Sequence, residues 1–260
     1  MPAIPLAITN QGDGPPVVIL HGLFGRRRNW QGLQKRLATK ARTITVDMRN
    51  HGDSGWDDVM TYDAMADDVA ALIQNLQIAP ALVIGHSMGG KAAMSLALST
   101  PEAVKALMVV IDIAPVPYDH DYAPYVDAMR HVPLTKLERR SQADDYLAEA
   151  INDRAVRAFL LQNLGQNDNG LYWQVNLDAI ESGLPDILDF PIGAGDPYDG
   201  PTTFIAGGNS DYIEDAHHPV IEALFPSATF ASIEGAGHWV HADKPTEVIA
   251  AMETFITDNQ

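Results

Sequence analysis

Short apolar runs that alternate with helical patterns constrain the fold of this chain more than any other feature. Residues 17–20 and 81–84 are continuous apolar runs, and further predicted strands, which include threonine, serine or aspartate, cover 43–46, 106–113, 202–206 and 228–233. A continuous apolar run of this length is typical of a strand that is buried on both faces. Strands that alternate with helices predict an α/β fold, in which helices flank a mostly parallel central sheet.

The alternation stops between residues 116 and 195. This stretch contains no buried strand run, and its helical patterns cover residues 122–131, 142–151, 154–164 and 177–184. We therefore expect a helical cap at 116–195, inserted into a core formed by 1–115 and 196–260. We also expect a short edge strand at 2–9, and a loop at 190–201 that leads back to the sheet.

One turn between a strand and a helix combines backbone strain with a nucleophile. The apolar run that ends at Ile84 is followed by Gly85-His86-Ser87-Met88-Gly89-Gly90 and then by a helical pattern. The G-x-S-x-G pattern in this context is typical of a nucleophile elbow, which projects a serine hydroxyl from the top of a sheet. Glycine is expected on both sides of the serine because side chains there would collide with the neighbouring strand and helix. Ser87 is therefore the candidate nucleophile.

A serine hydroxyl needs a base within hydrogen-bonding reach, and the base needs a carboxylate that orients it. The best candidate base is His238, which follows the last strand in a glycine-rich loop. Asp112 is the favoured acid, because a carboxylate in so apolar a stretch is costly unless it is paired. Asp211, at the end of a later strand, is the alternative.

The other histidines are less suitable as the base. His241, His217 and His218 are expected to flank helices or lie at the surface, and His21 is interpreted as a structural residue. The region that contains them has no recognised metal-ligand spacing, so we expect no metal site. Asp47 is interpreted as structural because Arg49 and His51 follow it closely.

A developing oxyanion needs two backbone donors. The amide of Met88, directly after the nucleophile, is one candidate, and the amide of Leu23, in the His21-Gly22-Leu23-Phe24-Gly25 loop, is the other, with Phe24 as its alternative. The side chains of Leu23, Phe24, Met88 and Trp239 are expected to line an acyl pocket.

The composition limits the classes of partner. The net charge is −17, which argues against nucleic acid as the main partner. The sequence has no cysteine, which excludes disulfides and thiolate catalysis and is compatible with the cytoplasmic location that we predict. It shows neither a secretory signal nor an apolar run long enough to span a membrane. The oligomeric state is not predictable from this sequence.

Six blocks along the chain resemble the α/β-hydrolase superfamily, and within it the small bacterial esterases of the YbfF type. The blocks are H-G-L-F-G, D-M-R-N-H-G-D-S, G-H-S-M-G-G-K, I-D-I-A-P-V, G-G-N-S-D-Y-I and G-A-G-H-W-V-H. The resemblance implies a serine carboxylesterase or thioesterase that acts on a small acyl ester or thioester without a cofactor. It implies Ser87 and His238 as catalytic residues, Asp112 as the candidate acid, and Ser210 as an additional hydrogen-bonding residue at the substrate site.

Several alternatives stay open at this point. The same residues are compatible with cofactor-free perhydrolysis or with C–C bond hydrolysis, and a slow-turnover ligand receptor of the same fold is a further alternative. The run Arg26-Arg27-Arg28 fits either a solvated turn at a helix start or a cationic rim that recruits anionic substrates.

Overall fold

The computed structural model describes residues 2–110, 112–191 and 196–260. Over these residues the strands are β1 (Ile8–Gln11), β2 (Pro16–Leu20), β3 (Arg42–Val46), β4 (Ala81–Gly85), β5 (Val104–Val110), β6 (Leu164–Asn167), β7 (Gly170–Trp173), β8 (Thr202–Gly207) and β9 (Ala228–Ile233). The α-helices of the same residues are α1 (Gln31–Leu37), α2 (Tyr62–Asn75), α3 (Met88–Ser99), α4 (Ala123–His131), α5 (Arg140–Leu147), α6 (Arg154–Leu160), α7 (Leu177–Leu188), α8 (His218–Leu224), α9 (Val240–Asp243) and α10 (Pro245–Asp258).

The predicted mostly parallel sheet is confirmed. Within the described residues it has seven strands in the order β1-β3-β2-β4-β5-β8-β9, and every pair of neighbours is parallel except β1 and β3. After β2 the chain continues to β3 on one side, whereas after β4 it continues to β5 on the other side. The carboxyl ends of β2 and β4 therefore border the crevice where α/β sheets place their ligands.

Alternate side chains of the central strands enter two separate cores. Val18 of β2 packs in the cluster that contains residues of α2 and α3, whereas Val17 packs with residues of α1 and α10. Both valines are fully buried. The continuous apolar runs of the sequence are thus explained by helices that cover both faces of the sheet.

The predicted edge strand at 2–9 is wrong in its position. The strand begins at Ile8, and the residues before it form isolated hydrogen bonds to α2 and to a loop: the Ile4 amide donates to Asp68 Oδ1 at 2.8 Å, and the Pro5 carbonyl accepts from the Gly55 amide at 3.1 Å. Pro2 and Pro5 lack the amide hydrogens that a strand ladder requires, which explains the late start.

The expectation that 116–195 contains only helices is also wrong. The predicted third helix, 154–164, ends at Leu160, and an antiparallel hairpin of β6 and β7 follows. The hairpin turns at Gly170, whose φ is 109°, a conformation that favours glycine. The fourth helix, expected at 177–184, continues to Leu188. Parts of three predictions fall on residues 111 and 192–195, which lie outside the described residues: the end of the strand at 106–113, the loop at 190–201 and the cap boundary at 195.

Candidate active site

Ser87 occupies a strained turn between β4 and α3. Its backbone has φ 51° and ψ −120°, a conformation that few side chains adopt. A Cβ atom on Gly89 would lie 2.6 Å from the Leu20 carbonyl oxygen of β2, and one on Gly85 would overlap the Gly89 carbonyl group. Both flanking glycines are therefore required by close backbone contacts, as the sequence pattern predicts.

His238 lies between Ser87 and Asp112. Its Nε2 is 3.1 Å from Ser87 Oγ, and its Nδ1 is 3.3 Å from Asp112 Oδ2. The histidine is half-buried, whereas the Asp112 side chain has no exposed surface. The arrangement lets one ring nitrogen accept the serine proton while the other donates to the carboxylate.

Asp112 has two further donors. The Gly207 amide donates to Oδ1 at 3.3 Å, and the Ser210 hydroxyl donates to Oδ2. Ser210 thus contacts the carboxylate and lines neither of the cavities beside Ser87. Asp211 is exposed in the next turn, and no hydrogen bond joins it to His238 in the described part of the chain.

The backbone amides of Leu23 and Met88 are available to an oxyanion, whereas the amide of Phe24, the alternative, is not. The Phe24 amide already donates to His51 Nε2 at 3.1 Å. Within the residues that the structure describes, the amides of Leu23 and Met88 have no internal hydrogen-bond acceptor. Met88 is the first residue of α3, so its amide also lies at the positive end of the helix dipole.

Neutral buried histidines hold the loop after β2. His21 Nδ1 donates to the Gly22 carbonyl oxygen at 2.8 Å, and its Nε2 accepts from the Met48 amide at 2.9 Å. His51 Nδ1 donates to the Arg49 carbonyl oxygen at 2.8 Å. Burial lowers the pKa of His21 to about 4 and that of His51 to about 3, so both rings stay neutral near pH 7.

Asp47 is structural, but its partners differ from those expected. It accepts hydrogen bonds from the side chain and amide of Arg27 and from the Asp53 amide at 3.0 Å, whereas Arg49 pairs with Asp68 at 2.8 Å. The interpretation of residues 26–28 as a solvated turn is therefore wrong for Arg26, which is 4% exposed, and for Arg27.

The competing histidines do not reach Ser87 in the described structure. His217 and His218 are half-buried where α8 begins. Of the two positions expected for His241, the structure shows the helix-flanking one: it lies in α9, just before α10, and is buried because its ring stacks on Trp30 at 4.6 Å and contacts the ring of His86 at 4.7 Å. Burial lowers the pKa of His241 to about 4.

Two small cavities border Ser87. The first, of about 50 Å³, is lined by Phe24, Phe159, Trp239 and other mainly apolar residues of both the sheet loops and the insertion. The rings of Phe159 and Trp239 are 5.5 Å apart. The second, of about 20 Å³, is lined by Leu23, Met88 and several tyrosines. All four side chains predicted to line an acyl pocket thus border one of these cavities.

Sequence reasoning missed two residues of the site. The ring of Tyr212 stacks on His238 at 3.9 Å, and its hydroxyl contacts that of Tyr122 at 2.9 Å. Lys91 lies buried in α3, and its Nζ donates to the carbonyl groups of residues 116, 188 and 189 at 2.8–3.1 Å. A lysine inside an apolar helix was a signal that a buried partner exists. Nothing in the sequence distinguished Tyr212 from the other tyrosines.

Among the residues that the structure describes, no group of three or more histidine, aspartate or glutamate side chains converges as a metal site would. No helix in the same residues has both the length and the apolar character needed to cross a bilayer.

Proteins of known family with sequences similar to this chain agree with the fold and the turn described above. The alpha/beta hydrolase fold family matches residues 15–245. An sn-1-specific diacylglycerol lipase of Xenopus laevis, ABHD11, is 44% identical over 251 residues, which cover 94% of this chain and 80% of the relative. Esterase YbfF of Escherichia coli is 38% identical over 253 residues and 96% of both chains.

A solved structure with an esterase title has the same fold over almost the whole length. The structure titled marine microorganism esterase superposes with a TM-score of 0.93 at 33% identity, and the alignment covers 97% of this chain and 100% of that one. The sheet order, the strained turn at Ser87 and these matches agree. The chain therefore belongs to the α/β-hydrolase fold family.

Proposed function

We propose that this chain hydrolyses acyl esters and thioesters through a covalent acyl-enzyme on Ser87. The general activity, that of a carboxylic ester hydrolase acting on small-molecule esters, follows from the family and from relatives named as esterases and lipases. The mechanism is supported above all by the 3.1 Å contact between Ser87 Oγ and His238 Nε2.

In the first half-reaction, Ser87 Oγ attacks the ester carbonyl carbon as His238 Nε2 accepts its proton. The oxygen of the tetrahedral intermediate accepts hydrogen bonds from the amides of Leu23 and Met88. His238 then donates its proton to the leaving alcohol or thiol as the C–O or C–S bond breaks. Water repeats these steps on the acyl-enzyme and releases the carboxylic acid and the free serine.

Asp112 is the acid that we favour over Asp211. Its full burial, its contact with His238 Nδ1 and its donors from Gly207 and Ser210 all support this role. In this position Asp112 would fix the tautomer of His238 and stabilise the imidazolium that forms during the reaction. Asp211 is exposed and has no hydrogen bond to His238 among the described residues, so nothing comparable supports the same role for it.

The substrate acyl chain is proposed to lie in the apolar cavity beside Ser87. Phe24 and Trp239 line this cavity from the sheet loops, and Phe159 lines it from the insertion. This shared lining supports the division into a core of 1–115 and 196–260 and a cap of 116–195. A cytoplasmic location stays a prediction from the cysteine-free sequence.

The alternative reactions are not favoured. The relatives at 38% and 44% identity are named for ester hydrolysis and not for perhydrolysis, C–C cleavage or ligand reception. The name of the 44% identical relative recommends a diacylglycerol as one substrate of a test series, beside p-nitrophenyl esters of increasing chain length.

The test is ester hydrolysis by Ser87→Ala beside Ser95→Ala. Both serines are buried near or in α3, but Ser95 bonds to Asp63 at 3.3 Å and lies outside the site. We expect Ser87→Ala to lower kcat by about a million-fold, and Ser95→Ala to keep nearly full activity. Equal activity of the two variants would contradict the acyl-enzyme mechanism.

A further inference from the structure

A larger cavity lies apart from the two beside Ser87. It has a volume of about 480 Å³ and shares no lining residue with either of them. Its walls come from the segment after the oxyanion loop, from the start of α5 and from the β6–β7 hairpin. We call it the arginine cavity because Arg26, Arg28 and Arg140 line it.

The charge of this cavity is opposite to that of the whole chain. The chain has 34 acidic and 17 basic residues, yet the lining of this cavity includes three arginines and no carboxylate. Asp47 and Asp53 act on Arg26 from outside the cavity, but both pair with Arg27, and Asp53 reaches Arg26 Nη2 only at 4.0 Å. The Arg28 side chain is exposed and has no hydrogen bond or salt bridge in the described part of the chain. Positive charge is therefore in excess at this cavity.

Arg26 is buried, yet only part of its guanidinium is hydrogen-bonded. Its side chain is 4% exposed, and Nη1 donates to Gln174 Oε1 at 2.7 Å and to the Gln162 carbonyl oxygen at 3.2 Å. Its Nε and Nη2 are buried and find no acceptor among the described residues. A guanidinium stays charged at any physiological pH, so two of its nitrogens are short of an acceptor. Unsatisfied donors of this kind point to an ion or ligand that completes them.

The donor set matches a phosphate group. Guanidinium groups bind planar pairs of phosphate or carboxylate oxygens with two parallel hydrogen bonds. One arginine suffices for a carboxylate, whereas three around one space suit the higher charge and the additional oxygens of a phosphate or diphosphate. The side-chain amides of Gln162, Gln166 and Gln174 line the same cavity and add polar groups.

We propose that the arginine cavity is a binding site for a phosphate-bearing anion, held by Arg26, Arg28 and Arg140 and separate from the ester site. The phosphate comes either from a free phosphorylated molecule or from the leaving group of an acyl donor. The site also adjoins the oxyanion loop, because Gln162 precedes Asn163, whose Nδ2 donates to the Phe24 carbonyl oxygen at 2.7 Å. The binding itself does not depend on the reaction proposed for Ser87.

The first experiment is calorimetric titration of the full chain with inorganic pyrophosphate. We expect saturable binding with one site per chain, weakened about tenfold or more by the double variant Arg28→Ser/Arg140→Ser. Both arginines are exposed, but Arg140 Nη2 also donates to the carbonyl oxygens of Leu161 and Leu164, so circular dichroism must first show that the variant is folded. Arg154→Ser, an exposed arginine outside the cavity, is the matched control. No saturable binding, or equal binding by the native chain and the double variant, would overturn the proposal.

The second experiment identifies the source of the phosphate. Hydrolysis of an acyl-CoA and of a neutral p-nitrophenyl ester is measured with the native chain and the double variant. If the leaving group supplies the phosphate, KM rises in the variant for the acyl-CoA alone, and pyrophosphate competes with that substrate alone. If a free molecule supplies it, pyrophosphate binds and neither KM changes in the variant. The titration repeated on Ser87→Ala separates this proposal from the catalytic one, because pyrophosphate should still bind.

Discussion

The sheet core and the insertion at 116–191 contribute to the site in different ways. The core contains the three residues proposed to react, and its loops are held by buried side chains with defined partners, such as Asp112 and His21. The insertion supplies apolar surface, including Phe159, and one wall of the arginine cavity. In the mechanism proposed here, the reaction therefore depends on the core, and the choice of substrate depends on the insertion.

A few core side chains attach the insertion at both ends. Lys91 Nζ bonds to the Val116 carbonyl at the start of the insertion and to the Leu188 and Asp189 carbonyls near its end. The Tyr62 hydroxyl donates to the Ile187 carbonyl at 2.6 Å. Because α3 also begins directly after Ser87, a single helix connects this serine to both ends of the insertion.

The largest expected effect tests whether a buried side chain of the core, Asp112, is needed for the reaction. Asp112→Asn should lower kcat by about 10³–10⁴-fold, because an amide cannot hold the correct His238 tautomer or stabilise the imidazolium. Asp211→Asn is the matched variant and should stay within about threefold of the native rate, since an exposed carboxylate is screened by solvent. A crippled Asp211→Asn beside a mild Asp112→Asn would reverse the assignment of the acid.

The next effect tests the attachment of the insertion. Lys91→Met keeps the length of the side chain but leaves three carbonyl groups without their donor. We expect the free energy of unfolding to fall by about 2–3 kcal/mol, and KM for long-chain esters to rise more than kcat falls. Urea denaturation and a chain-length series measure both. Lys105→Met, an exposed lysine on β5, is the control, and equal stability of the two variants would contradict this role.

Acid should destabilise the core rather than the insertion. Burial lowers the pKa of His21 and His241 to about 4 and that of His51 to about 3, and it lowers the pKa of His86 as well. As pH falls from about 6.5 towards 4, the unfolded chain binds protons that the folded chain does not, so the free energy of unfolding decreases by about 1.4 kcal/mol per pH unit for each histidine.

Replacing one buried histidine should remove its share of this dependence. His241→Phe keeps the stacking on Trp30 and removes one titrating group, so the loss of stability between pH 6.5 and 4.5 should become shallower by one proton. His131→Gln, at an exposed position on α4, should leave the dependence unchanged. Urea denaturation across this pH range measures both, and identical slopes would exclude His241 as a source.

The smallest effect tests the insertion's part in substrate choice. Phe159→Ala should raise KM for medium-chain esters by about five- to tenfold, because about 1 kcal/mol of apolar contact is lost, while kcat for acetate esters is unchanged. Phe230→Ala, a half-buried ring on β9 that stacks on His218, should leave both constants unchanged. A matching loss with acetate and medium-chain esters would place Phe159 outside the acyl pocket.

The sequence predicted the core well because each of its signals is local. Buried parallel strands produce continuous apolar runs, and the strained turn at Ser87 requires glycine on both sides. The start of α2 has a local signal of the same kind, because threonine is a common N-cap residue and the Thr61 hydroxyl accepts from the Ala64 amide at 3.3 Å.

The insertion was predicted less well because its structure depends on partners that are distant in sequence. The hairpin after Leu160 had a local signal, the turn residues Asn167-Asp168-Asn169-Gly170, which the helical interpretation overlooked. No local pattern predicted the contacts of residues 26–28. The pairing of Arg27 with Asp47 and the burial of Arg26 against the hairpin depend on the folded structure. The stacking of Tyr212 on His238 likewise had no local signal in the sequence.

Labelling with a fluorophosphonate, followed by peptide mass mapping, tests the central claim most directly. The reagent phosphonylates a serine whose proton a neighbouring base removes. We expect a single adduct on Ser87, formed at the same rate at which esterase activity is lost, and no adduct in Ser87→Ala. An adduct on another serine, or full activity loss without modification of Ser87, would contradict the mechanism.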